Sequence, residues 1–216
     1  MTALETIKPS LEEVFGKMPA PPLHLSVRPI SVNCEFLDGS ASLKEMEMEL
    51  EFESGIARLP FTLVIPKSNL PRPAVVLISK EEGFKERAIE WVIKGYAVFS
   101  IYFKDISENN GNFKSGISTY IAPTRRKKSS AGKVAIWAWA ATRALEYAEV
   151  LDEISKDKIG VVGDGILALS AVMAEGECER FSFASATSMP ELTAKFVRSN
   201  PHLFSPSYSN NTCFDY

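Results

Sequence analysis

The residues with the clearest chemical potential are Gly163, Asp164 and Gly165, which lie within the stretch KIGVVGDGILAL. A short apolar run precedes them, and helical spacing begins at about Ile166, so the pattern predicts a strand, a tight turn and a helix. One chemistry that uses this layout is the nucleophile elbow G-x-S-x-G, in which a strained turn presents a serine above a sheet. The other is the dinucleotide fingerprint G-x-G-x-x-G/A, which Gly163, Gly165 and Ala168 match.

The surroundings of the turn distinguish these two chemistries. A dinucleotide fold places its fingerprint after the first strand, with an acidic residue roughly 20 positions later for the ribose. Here several predicted strands precede the turn, and the strand after it ends near residues 186–188, which contain no carboxylate. Nucleotide or phosphate binding at the Gly163–Gly165 turn remains a second alternative, which requires backbone amides free at the helix N-terminus.

After Lys44, residues 45–53 alternate without a fault between glutamates and apolar side chains. Period two predicts a strand with one face in the core and a solvated glutamate face. Ser54 and Gly55 form a turn into a second strand, residues 57–65, and together the two strands predict an antiparallel hairpin. The inward side chains are Met46, Met48, Leu50 and Phe52.

A βαβ unit follows the hairpin. The apolar runs at residues 74–79 and 97–102 predict buried strands, and residues 84–94 between them have helical spacing that Gly95 ends. Such a unit implies parallel pairing of its strands. Further on, the sequence predicts a long Ala-rich helix at residues 131–151, a strand at 181–186 and a helix at 189–198. The long helix contains Trp137 and Trp139; they are two residues apart, so at least one is expected in the core.

Length and composition predict a single domain over residues 1–216, with an N-terminal arm at 1–40, a long loop at 105–130 and a tail at 200–216. The net charge of −3 gives no reason to expect nucleic acid as a partner, and no apolar run has the length of a membrane span. Three scattered cysteines and the absence of a leader pattern predict a reduced, cytoplasmic protein. The basic run Arg125–Lys128 is interpreted as a solvated loop.

Beyond single motifs, the chain resembles the carbohydrate-esterase branch of the α/β-hydrolases, the acetyl xylan esterase and glucuronoyl esterase group. The resemblance covers about residues 61–183, through GYAVFSIYFKDI, AGKVAIWAWAATRALEYAEVLDEI, KIGVVGDGILAL and ERFSFA. It implies an α/β fold of the truncated α/β-hydrolase type, with an antiparallel hairpin leading into a mostly parallel sheet flanked by helices.

The resemblance also assigns a degenerate site to the turn. The family's elbow reads Gly-His-Ser-Arg; here Gly163 keeps the first glycine, Asp164 stands for the histidine, Gly165 for the nucleophilic serine and Ile166 for the arginine. A glycine has no side chain to attack a carbonyl, so the covalent intermediate of a serine esterase is not expected to form. Gly165 would also relieve the strain of the turn, which costs other residues about 1–3 kcal/mol.

The family's catalytic acid and histidine follow later strands, whereas this chain ends at Tyr216, 51 residues beyond Gly165. Of its two histidines, His24 and His202, only His202 is a candidate base, and that by elimination. The short chain is expected to leave one edge of the sheet uncovered. Since exposed edges tend to pair, the sequence predicts a homo-oligomer formed through that edge.

The leading hypothesis is therefore a degenerate, esterase-like binding or structural module, with a carbohydrate or a small ester as its ligand and with neither cofactor nor metal. The alternative is a hydrolase that uses a displaced group, such as Asp164 as nucleophile or base, or groups from a second subunit. Capping of its own helix is the commoner role for an aspartate placed as Asp164 is.

Overall fold

The computed structural model describes residues 11–83, 86–123, 125–127 and 129–187. The predicted helix at 189–198, the tail and His202 lie outside the described residues. The strands are β1 (His24–Phe36), β2 (Ala41–Phe52), β3 (Gly55–Pro66), β4 (Arg72–Ser79), β5 (Ala97–Tyr102), β6 (Ile154–Asp164) and β7 (Phe183–Thr187). The helices are α1 (Glu86–Ile93), α2 (Phe103–Ile106), α3 (Ser118–Ile121), α4 (Lys133–Ala148) and α5 (Ala168–Glu177), with a 3₁₀ turn at Gly165–Leu167 and a helical segment at residues 11–15.

The described strands form one sheet in the order β1-β2-β3-β5-β4-β6-β7. Pairing is antiparallel from β1 through β3 to β5 and parallel from β5 through β4 and β6 to β7. The predicted hairpin and βαβ unit are both confirmed, because β2 pairs with β3 and β4 pairs in parallel with β5. Gly95 ends α1 with a φ of +88°, a conformation that few other residues adopt without strain.

The first strand of the sheet was not predicted. Part of the proposed N-terminal arm forms β1, whose thirteen residues pair antiparallel with β2. Most of its side chains are exposed, so the strand lacks the alternation that identifies a half-buried strand. Pro29, which has no N–H for a ladder, is tolerated because in the described part of the chain β1 pairs on one side only. At the other end, β7 pairs with β6; the predicted self-association through a sheet edge stays a prediction.

The larger part of the core lies between one face of the sheet and helices α4 and α5. Met46, Met48 and Leu50 are buried there, as the alternation predicted. Trp137 and Trp139 are buried too: their indole N–H groups donate to the carbonyl oxygens of Ser107 and Ala20 at 2.8 and 3.1 Å. Neither tryptophan is therefore available as a stacking platform for a ligand.

The segment predicted as a long loop contains the short helices α2 and α3 and is fastened to the start of α4. The Lys133 ammonium donates to the Ser107 hydroxyl at 2.6 Å and to the Asn112 carbonyl. The side chain of Arg126 is exposed, yet its guanidinium lies 3.5 Å from the centre of the Phe113 ring. The described residues of the basic run, 125–127, are thus exposed, as predicted, and Arg126 adds a cation–π contact to the loop.

The opposite face of the sheet carries a smaller core beneath α1. Phe183 of β7 packs its ring against Trp91 and Tyr96, with ring centroids 6.2 and 6.4 Å apart. Gly160 of β6 is the register partner of Phe183. A Cβ atom at position 160 would collide with the Phe183 ring, so this aromatic contact requires glycine in the neighbouring strand.

We expect Gly160→Ala to destabilise the fold by about 1–3 kcal/mol, the usual cost of overpacking a close contact, because either Phe183 or the strand must move. Chemical denaturation monitored by tryptophan fluorescence measures the change. Gly111→Ala is the matched control: a Cβ at position 111 meets nothing within 4 Å, and the expected change is within about 0.5 kcal/mol. Equal effects of the two substitutions would contradict the role given to the Phe183 contact.

Candidate functional site

The predicted turn has the geometry of a nucleophile elbow. Strand β6 ends at Asp164, Gly165 has a φ of +60°, and the 3₁₀ turn leads directly into α5. The helix begins with this tighter turn rather than as a regular α-helix at Ile166. A left-handed conformation at the tip of a strand–turn–helix is the conformation in which a hydrolase presents its nucleophile. Here the residue at the tip is a glycine, which adopts it freely.

Gly163 has a separate reason to be glycine. A Cβ atom at position 163 would collide with the carbonyl oxygen of Leu167, which the 3₁₀ turn brings over the end of β6. This close approach lets the chain reverse from strand to helix within three residues. The turn can therefore be recognised in the sequence by its two glycines, each required for a different physical reason.

Asp164 lies beneath the turn with its side chain only 7% exposed. The Lys80 ammonium lies 2.9 Å from Oδ2 and the Arg87 guanidinium 3.1 Å from Oδ1. Thr187 Oγ1 lies 3.4 Å from Oδ1, near the limit for a hydrogen bond that it would donate. Asp164 is the N-cap residue of the 3₁₀ turn but makes no side-chain hydrogen bond to it. The helix-capping interpretation is therefore wrong, because two cations from the segment that follows β4 bind the carboxylate instead.

A cavity of about 360 Å³ opens at the carboxyl ends of β4 and β6. After β4 the chain adds β5 on one side and then β6 on the other, which makes the gap between β4 and β6 a topological switch point. Open α/β sheets bind their ligands in such a gap. Among the described residues that line it, the charged ones are Lys80, Glu81, Glu86, Arg87, Glu90 and Asp164. Four carboxylates against two cations give the lining an acidic excess.

The segment after β4 forms one wall of this cavity. The Ser79 hydroxyl donates to the Glu81 carbonyl at 2.8 Å and accepts from the Glu81 N–H at 3.0 Å, so it fixes the local turn. In serine hydrolases the oxyanion is bound by the N–H after the nucleophile and by an N–H from the equivalent loop. The corresponding positions here are Ile166 and the loop of residues 79–83.

The rest of a hydrolytic set is not brought to the elbow within the described ranges. His24 is exposed on β1, five strands away from β6 in the order of the sheet. Across the same residues, no group of three histidine, cysteine, aspartate or glutamate side chains could hold a metal ion. The described part of the chain also contains no helix that is long and apolar enough to cross a bilayer.

Comparison with known proteins tests the resemblance. No family model and no curated protein sequence matches the chain. A glucuronoyl esterase from Solibacter usitatus superposes with a TM-score of 0.71 and 22% identity, over 94% of this chain and 66% of that one. A CE15 glucuronoyl esterase from Teredinibacter turnerae T7901 gives 0.65 and 26%, over 85% and 51%. The fold is that of the α/β-hydrolase carbohydrate esterases.

A Bacteroides fragilis structure that carries the name of an acetyl xylan esterase superposes less closely, with a TM-score of 0.56 and 15% identity, over 83% of this chain and 51% of that one. These likenesses confirm the fold expected from the resemblance. The chain spans 66% of the Solibacter enzyme and about half of the other two proteins. Their activities are properties of those longer proteins.

A second, smaller cavity of about 260 Å³ adjoins the first, and Ser100 of β5 lines both. Asp105 of α2 borders it together with Glu82. Burial, and then the nearby charge of Glu82, raise the pKa of the Asp105 carboxyl above its usual range. The folded protein therefore binds a proton at Asp105 more tightly than the unfolded chain does.

We expect Asp164→Asn to destabilise the protein by about 1–2 kcal/mol at pH 7, because Lys80 and Arg87 would lose their shared anionic partner. The effect is limited because these two side chains are 56% and 34% exposed and can be rehydrated. Glu47→Gln is the control, since Glu47 pairs with Arg28 at 2.6 Å on an exposed face of the sheet. In a urea titration, the free energy of unfolding of the Glu47→Gln control should change by no more than about 0.5 kcal/mol. A larger loss of stability in the control than in Asp164→Asn would refute the structural role given to Asp164.

The raised pKa of Asp105 gives a pH-dependent prediction. Stability contributed by a carboxyl whose pKa is raised in the folded state is present at low pH and is lost as the pH rises through that pKa. Asp105→Asn removes the charge, so the variant should melt at a higher temperature than the parent at pH 7. The difference in melting temperature should shrink as the pH falls through the raised pKa towards the ordinary pKa of an aspartate, about 4. Asp157→Asn, at an exposed position of β6, should show no such convergence.

Proposed function

We propose that this protein is a carbohydrate-binding module built on an esterase fold, without serine-hydrolase activity of its own. The single observation that carries the proposal is Gly165, which occupies the left-handed tip of the elbow with a φ of +60°. Covalent catalysis needs a nucleophilic atom at that tip, and glycine supplies none. What remains at this position is a turn that shapes a cleft.

The environment of Asp164 argues against a displaced catalytic carboxylate. Each of its oxygens lies within ion-pair distance of a cation, Lys80 on Oδ2 and Arg87 on Oδ1. A carboxylate whose oxygens are both engaged, and whose side chain is almost fully buried, is a poor nucleophile and a poor base. The same contacts give Asp164 a structural role, since they tie the end of β6 to the segment that forms the cavity wall.

The charge of the cleft favours a neutral ligand. Glu81, Glu86 and Glu90 are exposed and line the cavity, whereas its two cations are already paired with Asp164. A free uronate or a phosphate would meet an excess of negative charge. An esterified uronic acid or a neutral sugar would meet hydrogen-bonding groups without that repulsion. This preference agrees with the names of two structural neighbours, which are called glucuronoyl esterases. The same acidic lining disfavours the nucleotide alternative at the Gly163–Gly165 turn.

Hydrolysis of p-nitrophenyl acetate tests the absence of activity, with the unaltered protein, Gly165→Ser and Asp164→Asn compared at equal concentration. We expect rates at the buffer background for the unaltered protein and for Asp164→Asn. Gly165→Ser introduces strain of about 1–2 kcal/mol at its positive φ, so its fold is checked by circular dichroism. Gly83→Ser is the control for that strain, because position 83 has a φ of +75° and open space around it. Turnover in the unaltered protein that Asp164→Asn abolishes would overturn the proposal.

Binding is measured in the same samples by NMR titration with the methyl ester of glucuronic acid and with free glucuronate. The methyl ester should bind more tightly than the free acid, by about threefold or more, because the acidic lining repels the anion. Removing two of these charges together, by Glu86→Gln and Glu90→Gln, should bring the affinities of the methyl ester and the free acid closer to each other. Glu149→Gln is the control, since Glu149 pairs with Arg180 away from the cleft at 2.7 Å. If neither ligand bound, the proposed binding role would be wrong, whereas the result of the ester-hydrolysis test would still stand.

A further inference from the structure

A row of polar side chains lies on one face of the sheet, beside the second cavity. Glu45, Thr62 and Ser100 are register partners across β2, β3 and β5, so they lie side by side on one face. Thr62 and Ser100 are only 4% and 5% exposed. The next register position along the row is Leu77 of β4, which is buried, as expected for this face. Two hydroxyls therefore occupy positions where aliphatic side chains would be favoured.

The two hydroxyls differ in their partners. Thr62 Oγ1 donates to Glu45 Oε2 at 3.0 Å. The Ser100 hydroxyl has no hydrogen-bond partner within the described part of the chain, although the residue lines both cavities. Buried polar groups in proteins are almost always paired with protein or with a bound molecule. An unpartnered hydroxyl at the wall of a cavity is therefore a group that a ligand would satisfy.

Carboxylates surround the same cavity on several sides. Glu45 comes from β2, Glu82 from the loop after β4 and Asp105 from α2, and none of the described residues that line the cavity is cationic. Tyr102 adds an aromatic ring; the exposed Lys104 lies over this ring, with its ammonium 5.9 Å from the ring centre, and does not line the cavity. The described residues form no group of three carboxylates that could hold a metal ion. The negative charge is thus spread over a space larger than an ion.

We propose that this cavity binds a protonated primary amine carried on a hydroxyl-bearing ring, the chemistry of an amino sugar. Carboxylates from three elements are the natural partners of an ammonium group, and hydrogen bonds to charged groups are the stronger ones. The hydroxyls of Ser100 and Thr62 match the hydroxyls of a sugar. A volume of about 260 Å³ lies just below the range for drug-sized ligands, which suits a single ring.

Glucosamine titration followed by NMR on the full chain, in a buffer free of amines, tests the site. Glucosamine should bind at least about tenfold more tightly than glucose or N-acetylglucosamine, which lack the charge. Glu82→Gln and Asp105→Asn should each weaken glucosamine binding about fivefold or more. Ser100→Val should weaken it as well, since it removes the hydroxyl and adds bulk at the cavity wall.

The matched control is Glu81→Gln. Glu81 is adjacent to Glu82 in sequence and equally exposed, but it lines the first cavity and not the second. Its substitution should leave glucosamine binding unchanged, as should Asp164→Asn. Equal binding of glucosamine and N-acetylglucosamine, no binding of glucosamine, or equal losses in Glu81→Gln and Glu82→Gln would each overturn the inference. Ser100 lines both cavities, but Glu45, Glu82 and Asp105 line only the second one, so these outcomes can be told apart from the glucuronate results.

Discussion

The contact between Gly163 and the Leu167 carbonyl is the constraint on which the organisation of this fold depends. It allows β6 to turn into α5 within one 3₁₀ turn, so the helix packs back on the strand that precedes it. Once placed there, α5 contacts α4, and its Ala171 and Ala174 are buried in the same core cluster as the many alanines of α4. Small side chains let the two helices approach closely, and this pair covers the face of the sheet that carries the larger core. A side chain at position 163 would force the turn open and separate these layers.

The electrostatics of the elbow follow from the same geometry. Because β6 ends beneath the turn, the Asp164 carboxylate is buried at the carboxyl edge of the sheet, where an unpaired charge would be costly. Lys80 and Arg87 lie on either side of the loop after β4 and reach this carboxylate from the adjacent strand and from α1. The ion pairs therefore connect the three elements that form the first cavity. In a serine hydrolase the residue beside the nucleophile would have no need of two cations.

Local patterns in the sequence predicted most of the sheet, and their limits are physical. The faultless alternation of residues 45–53 identified β2 and its buried face, and the apolar runs identified β4 and β5. Strand β1 was missed because pairing at an exposed edge leaves no hydrophobic period to detect. The two glycines and the resemblance located the elbow, but the partners of Asp164 could not be predicted. Lys80 and Arg87 are distant in sequence, and only the parallel pairing of β4 with β6 brings them together.

The geometry of the elbow, with a glycine at its tip, is explained by packing rather than by chemistry. A glycine at position 165 removes the strain of the left-handed conformation, but it also increases the entropy lost on folding, so the two effects offset each other in part. Strain relief alone therefore gives a weak reason to keep the turn. The close contact at Gly163 gives a stronger one, because the placement of α5, and with it the large core, depends on that geometry. The turn does not need a catalytic atom for this role, since its backbone alone determines where strand, helix and cavity wall meet.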